Sequence, residues 1–377
     1  MRLPSIDDWG SLAGANVLVR VDFNVPMKEV DGHMTVVDDF RIRAAVPLFE
    51  DLMSRGAHVV ACTHIGRPKG HDEKLSVAPI RRRLEELCPG VELLENLRYE
   101  PGEEANDEEF GRLLVKGFDY YVNEAFGVSH RAHASIVAPP KFMRSAAGPN
   151  LIREVETLLG VFDQPAGPFV AIVGGAKVAD KLSVTAKLVE KADTVIVGGG
   201  MAFTFWRALG HSIGGSLVDD SKVDACRELL ETGRIVLPTD ALGLPSGSPF
   251  GGGGDEEASL FGSSIPDGFV GLDIGPASVE HFSDIIANAG TILWNGPMGV
   301  FEDPRLEAGT RAVAQAVAAS DAFSIIGGGD SAAAVAKFGV EDQVSFVSTG
   351  GGASLELLEF GTLPGLTALV ECPWNQK

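Results

Sequence analysis

Short apolar runs that end in polar residues divide the first half of the chain. Residues 16–23 (NVLVRVDF), 58–63 (HVVACT) and 120–123 (YYVN) have the character of β-strands. Between them, residues 41–56 and 77–90 place apolar side chains at helical spacing. Strands that alternate with helices form a parallel sheet with crossover helices. Because ligands bind beyond the carboxyl ends of such strands, the polar residues that follow each run are candidate ligand-binding residues.

The second half repeats one unit, a short apolar strand that ends in a glycine turn. It occurs at residues 171–177 (AIVGGAK), 194–201 (TVIVGGGM), 291–299 (TILWNGPMG), 323–331 (FSIIGGGDS) and 344–354 (VSFVSTGGGAS). A helical pattern follows most of these turns, which predicts a doubly wound sheet whose edge presents backbone N–H groups. Residues 160–169 (GVFDQPAGPF) are the predicted boundary between the halves. We interpret the glycine-rich residues 243–257 as a flexible surface loop, because no apolar strand is evident before its glycines.

Composition narrows the class of protein. A chain of 377 residues, 45% hydrophobic and 22% charged, predicts two globular domains. No apolar run reaches the length of a membrane span, the N-terminus does not have the pattern of a signal peptide, and four scattered cysteines suit a reducing cytoplasm. The net charge of −21 disfavours nucleic-acid and membrane partners. Since 19 of the 31 Lys and Arg residues precede Pro165, we expect a small anionic substrate in the first half.

Charged residues at two of the glycine turns indicate which ligands those turns bind. In GGAKVADK, a helix that opens near Ala176 would place Lys177 and Lys181 on one face, where an anion between them would offset the unfavourable helix dipole. Asp180 could orient a lysine or approach a metal, and a solvated charged face is the alternative for the whole motif. In IIGGGDS, Asp330 is equally suited to cap the following helix or to hold Mg²⁺.

Basic residues follow the strands of the first half. Guanidinium groups bind phosphate and carboxylate, and the candidates are Arg20, Arg41, Arg67, Arg98 and Arg131, with His64 and His130 beside them. We interpret His133 as a structural hydrogen-bonding residue. The chain has no Walker A loop, no protein-kinase motif set, no strand followed by G-x-G-x-x-G and no G-x-S-x-G elbow.

Taken in order, these motifs resemble the phosphoglycerate kinase family nearly end to end. The ordered matches are VRVDFNVP, DFRIRAAVP, HIGRP, ENLRYE, NEAFGVSHRAH, GGAKVADK, VGGGMAFTF, GLDIGP, WNGPMGVFE, IIGGGDS and STGGGASLELLE. The resemblance implies two Rossmann-like three-layer αβα domains with parallel sheets that face a cleft. Residues 1–160, with a C-terminal tail of about 364–377, would bind phosphoglycerate, and residues 161–363 would bind the nucleotide. The implied reaction is Mg²⁺-dependent reversible phosphoryl transfer from 1,3-bisphosphoglycerate to ADP, giving 3-phosphoglycerate and ATP.

The resemblance also assigns residues. The residues that it implies for phosphoglycerate binding are Asp22, Asn24, Arg41, His64, Arg67, Arg98 and Arg131. Nucleotide binding falls to Gly175, Ala176, Lys177, Lys181, Gly199, Gly271, Leu272, Asn295, Met298, Glu302, Gly329, Asp330 and Ser331, with Asp330 at the metal. The transferred group would meet Arg41, Lys177, Lys181, Gly328 and Gly351, with the helix N-termini at residues 327–329 and 350–352 directed at the transfer region.

Three residues depart from the family pattern, with Glu124 in place of Asp, Met298 in place of Val and Ser331 in place of Thr. The segment between Pro68 and Glu95 is shorter than in many members. The reaction deprotonates no hydroxyl, so it needs no general base, and domain closure would exclude water. We expect a cytoplasmic monomer. Two alternatives remain open at this point, a weakened relative kept as a binding protein and a kinase for a different carboxylate.

Overall fold

The computed structural model describes residues 1–179, 181–252 and 254–376. The chain divides into two compact units. Unit 1 comprises Met1–Thr157 together with the C-terminal segment from Phe360, and unit 2 comprises Leu158–Glu359. The bounds inferred from the sequence differ from these by a few residues. One helix, Pro149–Asp163, enters the predicted Pro- and Gly-rich boundary at residues 160–169 and ends within it.

Unit 1 is built on a five-stranded parallel sheet in the order β5-β4-β1-β6-β7. Its strands are β1 Asn16–Arg20, β2 Met27–Val30, β3 His33–Val36, β4 His58–Cys62, β5 Glu92–Leu93, β6 Tyr120–Asn123 and β7 Arg144–Ala147, of which β2 and β3 form a separate hairpin. Its helices are α1 Phe40–Ser54, α2 Ala78–Leu87, α3 Pro101–Glu104, α4 Glu108–Leu114, α5 Ala134–Val137, α6 Pro139–Phe142, α7 Pro149–Asp163 and, near the C-terminus, α15 Pro364–Val370.

The sequence-predicted strands of unit 1 are confirmed as β1, β4 and β6. In β1, four of five residues are buried, as expected for a parallel strand covered by helices on both faces. The short segment between Pro68 and Glu95 folds into one helix, α2, and the two-residue strand β5, which pairs with β4 at Val60 and Glu92. The trimmed segment therefore still completes the edge of the sheet.

Unit 2 contains a six-stranded parallel sheet in the order β10-β9-β8-β14-β15-β16. The strands of this unit are β8 Phe169–Val173, β9 Thr194–Val197, β10 Ile235–Val236, β11 Ala241–Pro245, β12 Ser259–Phe261, β13 Phe269–Ile274, β14 Thr291–Asn295, β15 Phe323–Gly327 and β16 Phe346–Val347. Its helices are α8 Leu182–Lys191, α9 Ala202–Ala208, α10 Val223–Glu231, α11 Pro276–Ala287, α12 Ala308–Ala319, α13 Gly329–Lys337 and α14 Gly352–Phe360. The five predicted strand-and-glycine units are confirmed as β8, β9, β14, β15 and β16.

Both parallel sheets have the Rossmann strand order. Counted along each sheet's own chain, the order is 3-2-1-4-5 in unit 1 and 3-2-1-4-5-6 in unit 2. The direction of winding reverses between β1 and β6 in unit 1 and between β8 and β14 in unit 2. In open sheets of this kind ligands bind at that switch point, beyond the carboxyl ends of the strands.

Two local expectations in unit 2 are wrong. The helix after GGAKVADK begins only at Leu182, so Lys177 and Lys181 lie in a turn and are not related by helical spacing; Asp180 lies outside the described residues. The glycine-rich residues 243–257 begin inside a strand, β11, which pairs antiparallel with β12 and β13, and the later glycines follow that strand. That loop is anchored to the unit, since Gly251 N donates to Asp303 Oδ2 at 3.1 Å and Arg305 Nη2 donates to Pro249 O at 2.8 Å.

Two further findings concern the cysteines and the lengths of the apolar helices. All four cysteines, Cys62, Cys88, Cys226 and Cys372, are buried and free. No single helix in the described part of the chain is long and apolar enough to cross a bilayer, and only α14 together with the residues from Pro364 reaches that length, across a sharp bend.

Candidate active site

The ends of β1 and β4 bring together the first predicted phosphoglycerate-binding residues of unit 1. Asp22 follows β1, and its Oδ2 accepts a hydrogen bond from Arg41 Nη1 at 2.8 Å. Arg41 stands in the first turn of α1 with 33% of its side chain exposed, whereas Asp22 is 13% exposed. Asn24 Oδ1 accepts from Gly66 N at 3.0 Å, which joins the loop after β1 to the HIGRP loop after β4. Asp22 therefore orients a guanidinium that solvent can still reach.

His64 and Arg98 are almost fully buried at the same edge. His64 is 3% exposed and Arg98 is 8% exposed. Arg98 Nη1 donates to Gly66 O at 2.5 Å, and its Nε lies 3.1 Å from Glu104 Oε1. Burial is the main cause that holds the pKa of His64 well below its usual range, and the positive charges of Arg20 and Arg98 act in the same direction. His64 is therefore neutral at physiological pH.

The remaining basic residues of unit 1 differ in exposure. Arg67 is exposed and Arg131 is half-buried. Burial, followed by the charge of Arg131, lowers the pKa of His130 to about 4. His133 is 8% exposed, and its Nδ1 lies 3.9 Å from Glu103 Oε1. Burial again lowers the pKa of His133, and the nearby Glu103 opposes that shift. The carboxyl edge of the unit 1 sheet therefore carries guanidinium groups that range from buried to exposed, together with neutral imidazoles.

In unit 2, three glycine turns pack backbone against backbone at the switch point. Gly175 N donates to Pro297 O at 3.0 Å, and Gly199 N donates to Met298 O at 3.0 Å. Gly296 has φ +97°, and a Cβ there would lie 2.2 Å from Gly174 O. Gly199 has φ +65°, and a Cβ there would lie 2.6 Å from Gly175 N. Side chains would force these turns apart, so the glycines of three strand ends build one continuous backbone surface.

Lys181 spans that surface. Its Nζ donates to Gly174 O at 2.7 Å and to Asn295 Oδ1 at 2.6 Å, so it bridges the ends of β8 and β14. Asn295 is 4% exposed, and its Nδ2 has no hydrogen-bond partner among the described residues. Lys177 and Ala176, in contrast, are exposed. The ends of β8 and β14 therefore carry three donor groups. These are the fixed ammonium group of Lys181, the exposed ammonium group of Lys177 and the buried, unsatisfied amide of Asn295.

The turns after β15 and β16 open two helices. Gly328, with φ +90°, is the N-cap of α13, and Gly329 begins that helix. Asp330 is exposed in its first turn. Ser331 is fully buried, and its Oγ accepts from Gly296 N at 2.6 Å, which ties α13 to the β14 turn. Gly351 has φ +54° just before α14. Helix N-termini at these positions favour bound anions.

Of the other predicted nucleotide-binding residues, Gly199 and Met298 line a small cavity. Ala202, Phe203 and Trp206 line the same cavity, together with the carboxyl groups of Asp240 and Asp273. Gly271 lies in β13, and a Cβ there would meet the Phe203 ring at 2.3 Å. Leu272 is half-buried in the same strand, and Glu302 is exposed. Glycine at position 271 therefore follows from packing against the aromatic ring, whatever it contacts in a complex.

Sequence reasoning missed several residues that hold the site in place. Arg20 was a candidate by its charge, but it is wholly buried and supports His64 from behind. Ser135 and Glu103 extend that support and lie 32 residues apart in the chain. Asp273 is a buried carboxylate next to Gly299 and Gly309. Local patterns do not signal such contacts, which are long-range; the one hint was the placement of Glu103 just after ENLRYE.

No group of three or more His, Cys, Asp or Glu side chains within the described ranges could hold a metal ion by itself. The two edges, one lined by arginines and the other by glycine turns and lysines, are both suited to phosphate groups, as in a phosphotransferase.

Comparison with known proteins specifies this class. A sequence model of the phosphoglycerate kinase family matches residues 6–93 and 89–360. Phosphoglycerate kinase of Parafrankia sp. (strain EAN1pec) is 46% identical, with 97% of this chain and 99% of that protein covered. Arabidopsis thaliana phosphoglycerate kinase 3, cytosolic, is 44% identical, with 96% of each covered. The structure of phosphoglycerate kinase from Coxiella burnetii has a TM-score of 0.87 at 36% identity, covering 98% of this chain and 99% of that one.

The chain belongs to the phosphoglycerate kinase family. It is a kinase that uses ATP and ADP and transfers a phosphoryl group to the carboxyl group of 3-phosphoglycerate. The structure of the enzyme from Pyrococcus horikoshii OT3 has the same fold, with a TM-score of 0.82 at 30% identity over 98% of each chain. The sequence-based predictions of family, fold class and reaction are confirmed.

Proposed function

We propose that the arginine-rich edge of unit 1 binds phosphoglycerate and that the glycine-rich edge of unit 2 binds the nucleotide. The observation that supports this division is that most residues of each set follow the carboxyl ends of strands in one Rossmann-ordered sheet, on both sides of its switch point. The phosphoglycerate residues are Asp22, Asn24, Arg41, His64, Arg67, Arg98 and Arg131. Their guanidinium groups suit the two anionic ends of phosphoglycerate, since they make paired, always-charged contacts.

The nucleotide site comprises Gly175, Ala176, Lys177, Lys181, Gly199, Gly271, Leu272, Asn295, Met298, Glu302, Gly329, Asp330 and Ser331. Asn295 Nδ2 needs an acceptor, which a phosphate oxygen would supply. Lys177 and Lys181 would neutralise the phosphate charge. Backbone N–H groups at the starts of α13 and α14 would add donors in a fixed geometry.

Mg²⁺ fits this site through Asp330, the exposed carboxylate in the first turn of α13. A hard divalent cation binds one or two protein carboxylates and completes its shell with phosphate oxygens and water. The bound ion would neutralise charge on the phosphate oxygens of the nucleotide. Ser331 Oγ already accepts a hydrogen bond from Gly296 N, so its part would be to hold the start of α13 in position.

In this mechanism the protein has to align the two substrates and to neutralise the charge on the transferred phosphoryl group. The acceptor is a carboxylate in one direction and a phosphate oxygen in the other, so no residue has to remove a proton. Arg41, Lys177, Lys181 and the amides of Gly328 and Gly351 would stabilise the equatorial oxygens of the transferred group. Asp22 would keep Arg41 pointed at that group. Because the two ligand sets belong to different units, we propose that the units close before transfer and exclude water.

A trapping assay tests the reaction and the role of Arg41. The protein receives ATP, Mg²⁺ and 3-phosphoglycerate, and hydroxylamine captures the acyl phosphate as a hydroxamate. We expect Arg41→Ala to lower turnover about a hundredfold, which is the typical loss for one transition-state donor. Arg43→Ala is the matched control, because Arg43 is an exposed residue on the same helix that pairs with Asp39. Equal turnover in the two variants would refute the role of Arg41.

The same assay separates the alternatives. Hydroxamate from another small carboxylate but not from 3-phosphoglycerate would indicate a different substrate, and none from any carboxylate would indicate a binding protein. Solution scattering should show compaction only when both substrates are present, and equal compaction with nucleotide alone would contradict closure around both. We also propose that the protein is cytoplasmic, which the cytosolic Arabidopsis relative supports, and that it is a monomer. Light scattering should then give a mass of 39.7 kDa.

A further inference from the structure

A buried guanidinium lies behind His64. Arg20 is the last residue of β1 and has no exposed surface. Its Nε donates to Ser135 Oγ at 2.8 Å, its Nη1 donates to the carbonyl of Val21, and its Nη2 lies 3.2 Å from His64 Nδ1. A side chain so enclosed does not contact a substrate. Among these three partners, His64 is the one predicted to bind phosphoglycerate.

The chemistry of that contact determines where the histidine carries its proton. A guanidinium group has five donors and no acceptor, so the nitrogen it approaches has to accept. His64 Nδ1 therefore carries the lone pair, and the single proton of a neutral imidazole is on Nε2.

We propose that Arg20 is a positioning residue that fixes His64 in the neutral Nε2–H tautomer, so that His64 offers a hydrogen-bond donor to an oxygen of phosphoglycerate. The second half of this proposal rests on the proposed function. The first half concerns the protein without substrate.

Arg20 is itself held by a chain of buried groups. Ser135 Oγ donates to Glu103 Oε1 at 2.6 Å, and Ser135 N donates to Glu103 Oε2 at 2.8 Å. Tyr121 Oη donates to Ser135 O at 2.7 Å. Glu103 is fully buried, and its charge compensates that of Arg20 across the serine. A guanidinium with three nitrogens engaged in this way has one orientation, so its Nη2 donor stays directed at His64.

The surroundings of His64 favour the neutral form. Burial is the main cause that holds the pKa of His64 well below its usual range. The charges of Arg20, Arg98, His133 and Arg41 act in the same direction, in that order, and three of these four groups are guanidinium cations. His64 therefore acts as an N–H donor of fixed direction, while the arginines supply the positive charge.

Nitrogen-15 NMR of the substrate-free, full-length protein tests the tautomer directly. Labelled histidine shows Nδ1 and Nε2 at clearly different shifts depending on which one carries the proton, and a His64→Gln sample assigns the signal. We expect an unprotonated Nδ1 and a protonated Nε2, unchanged between about pH 6 and pH 8. A proton on Nδ1, or on both nitrogens, would overturn the proposal.

Arg20→Met tests the cause, since methionine fills similar space without a donor. We expect a mixture of His64 tautomers, and a KM for 3-phosphoglycerate raised about tenfold or more while kcat and the KM for ATP change little. An unaltered tautomer and KM would refute the role of Arg20. If this variant does not fold, Ser135→Ala replaces it and removes the acceptor that orients Arg20. A wild-type protein with the Nε2–H tautomer but no transfer to 3-phosphoglycerate would refute the proposed function alone.

Discussion

The buried carboxyl group of Asp273 predicts a loss of stability of unit 2 as pH rises. Asp273 is 3% exposed at the end of β13, and its Oδ2 accepts from Gly309 N at 2.8 Å. Its Oδ1 has no hydrogen-bond partner among the described residues. Burial raises the pKa of Asp273 from 3.8 to about 7, and the hydrogen bonds from Gly309 and Ile274 only partly oppose it.

The sign and size of the effect follow from linkage. The folded protein holds this proton more tightly than the unfolded chain, so the contribution to stability is complete below about pH 4 and is lost as pH rises through 7. The folded and unfolded pKa values differ by about 3 pKa units, and each unit corresponds to 1.36 kcal/mol. The free energy of unfolding therefore changes by about 4 kcal/mol. Asp273→Asn cannot ionise, so it should avoid this loss.

The assay is urea unfolding of the parent protein and of Asp273→Asn between about pH 4 and pH 8.5. The quantity compared is the free energy of unfolding of the variant minus that of the parent. We expect Asp273→Asn to gain stability relative to the parent progressively across this range and to level off above pH 8. Taking the difference removes the contribution of Glu124, whose pKa burial raises to about 8 in unit 1. A difference that stays flat with pH would refute the assignment of a raised pKa to Asp273.

Three further predictions concern other parts of unit 2. Gly296→Ala should cost about 1–3 kcal/mol more in urea unfolding than Gly247→Ala, because both have positive φ but only Gly296 meets another backbone, and equal costs would contradict the packed-turn account. Lys181→Met should weaken ADP binding and lower the unfolding midpoint, whereas the surface control Lys187→Met should change neither. Asp303→Asn should lower the midpoint more at pH 7 than near pH 2, because Arg305 holds the pKa of Asp303 well below its usual range and the stabilisation declines as pH falls towards that pKa. The same loss at both pH values would exclude this cause.

Periodicity and glycine placement predicted the two parallel sheets. Their strands are short, continuous apolar runs such as residues 169–173, which are all buried, and each ends where a glycine or a polar residue begins. The same logic failed for β11, because Ala241–Pro245 mixes glycine and proline with two leucines and pairs with strands that are distant in sequence. Antiparallel pairing of that kind depends on partners that no local pattern identifies.

The candidate site was predictable in its exposed parts and not in its support. Arg41, Lys177 and Asp330 stand beside strand ends or helix starts, where sequence motifs locate them. The start of α8 was misplaced, because the sequence does not show that Lys181 reaches back to Gly174 and Asn295 from a turn that precedes the helix. The orientation of His64 depends on the wholly buried Arg20, whose partners come from three separate segments.

Equilibrium binding of each substrate to two single variants tests the division of labour between the units most directly. Arg67 of unit 1 and Lys177 of unit 2 are both exposed, so Arg67→Ala and Lys177→Met should fold normally. Calorimetric titration should show that Arg67→Ala weakens 3-phosphoglycerate binding and leaves ADP binding unchanged, and that Lys177→Met does the reverse. Weaker binding of the same substrate in both variants would contradict the proposed division of the two binding sites between the units.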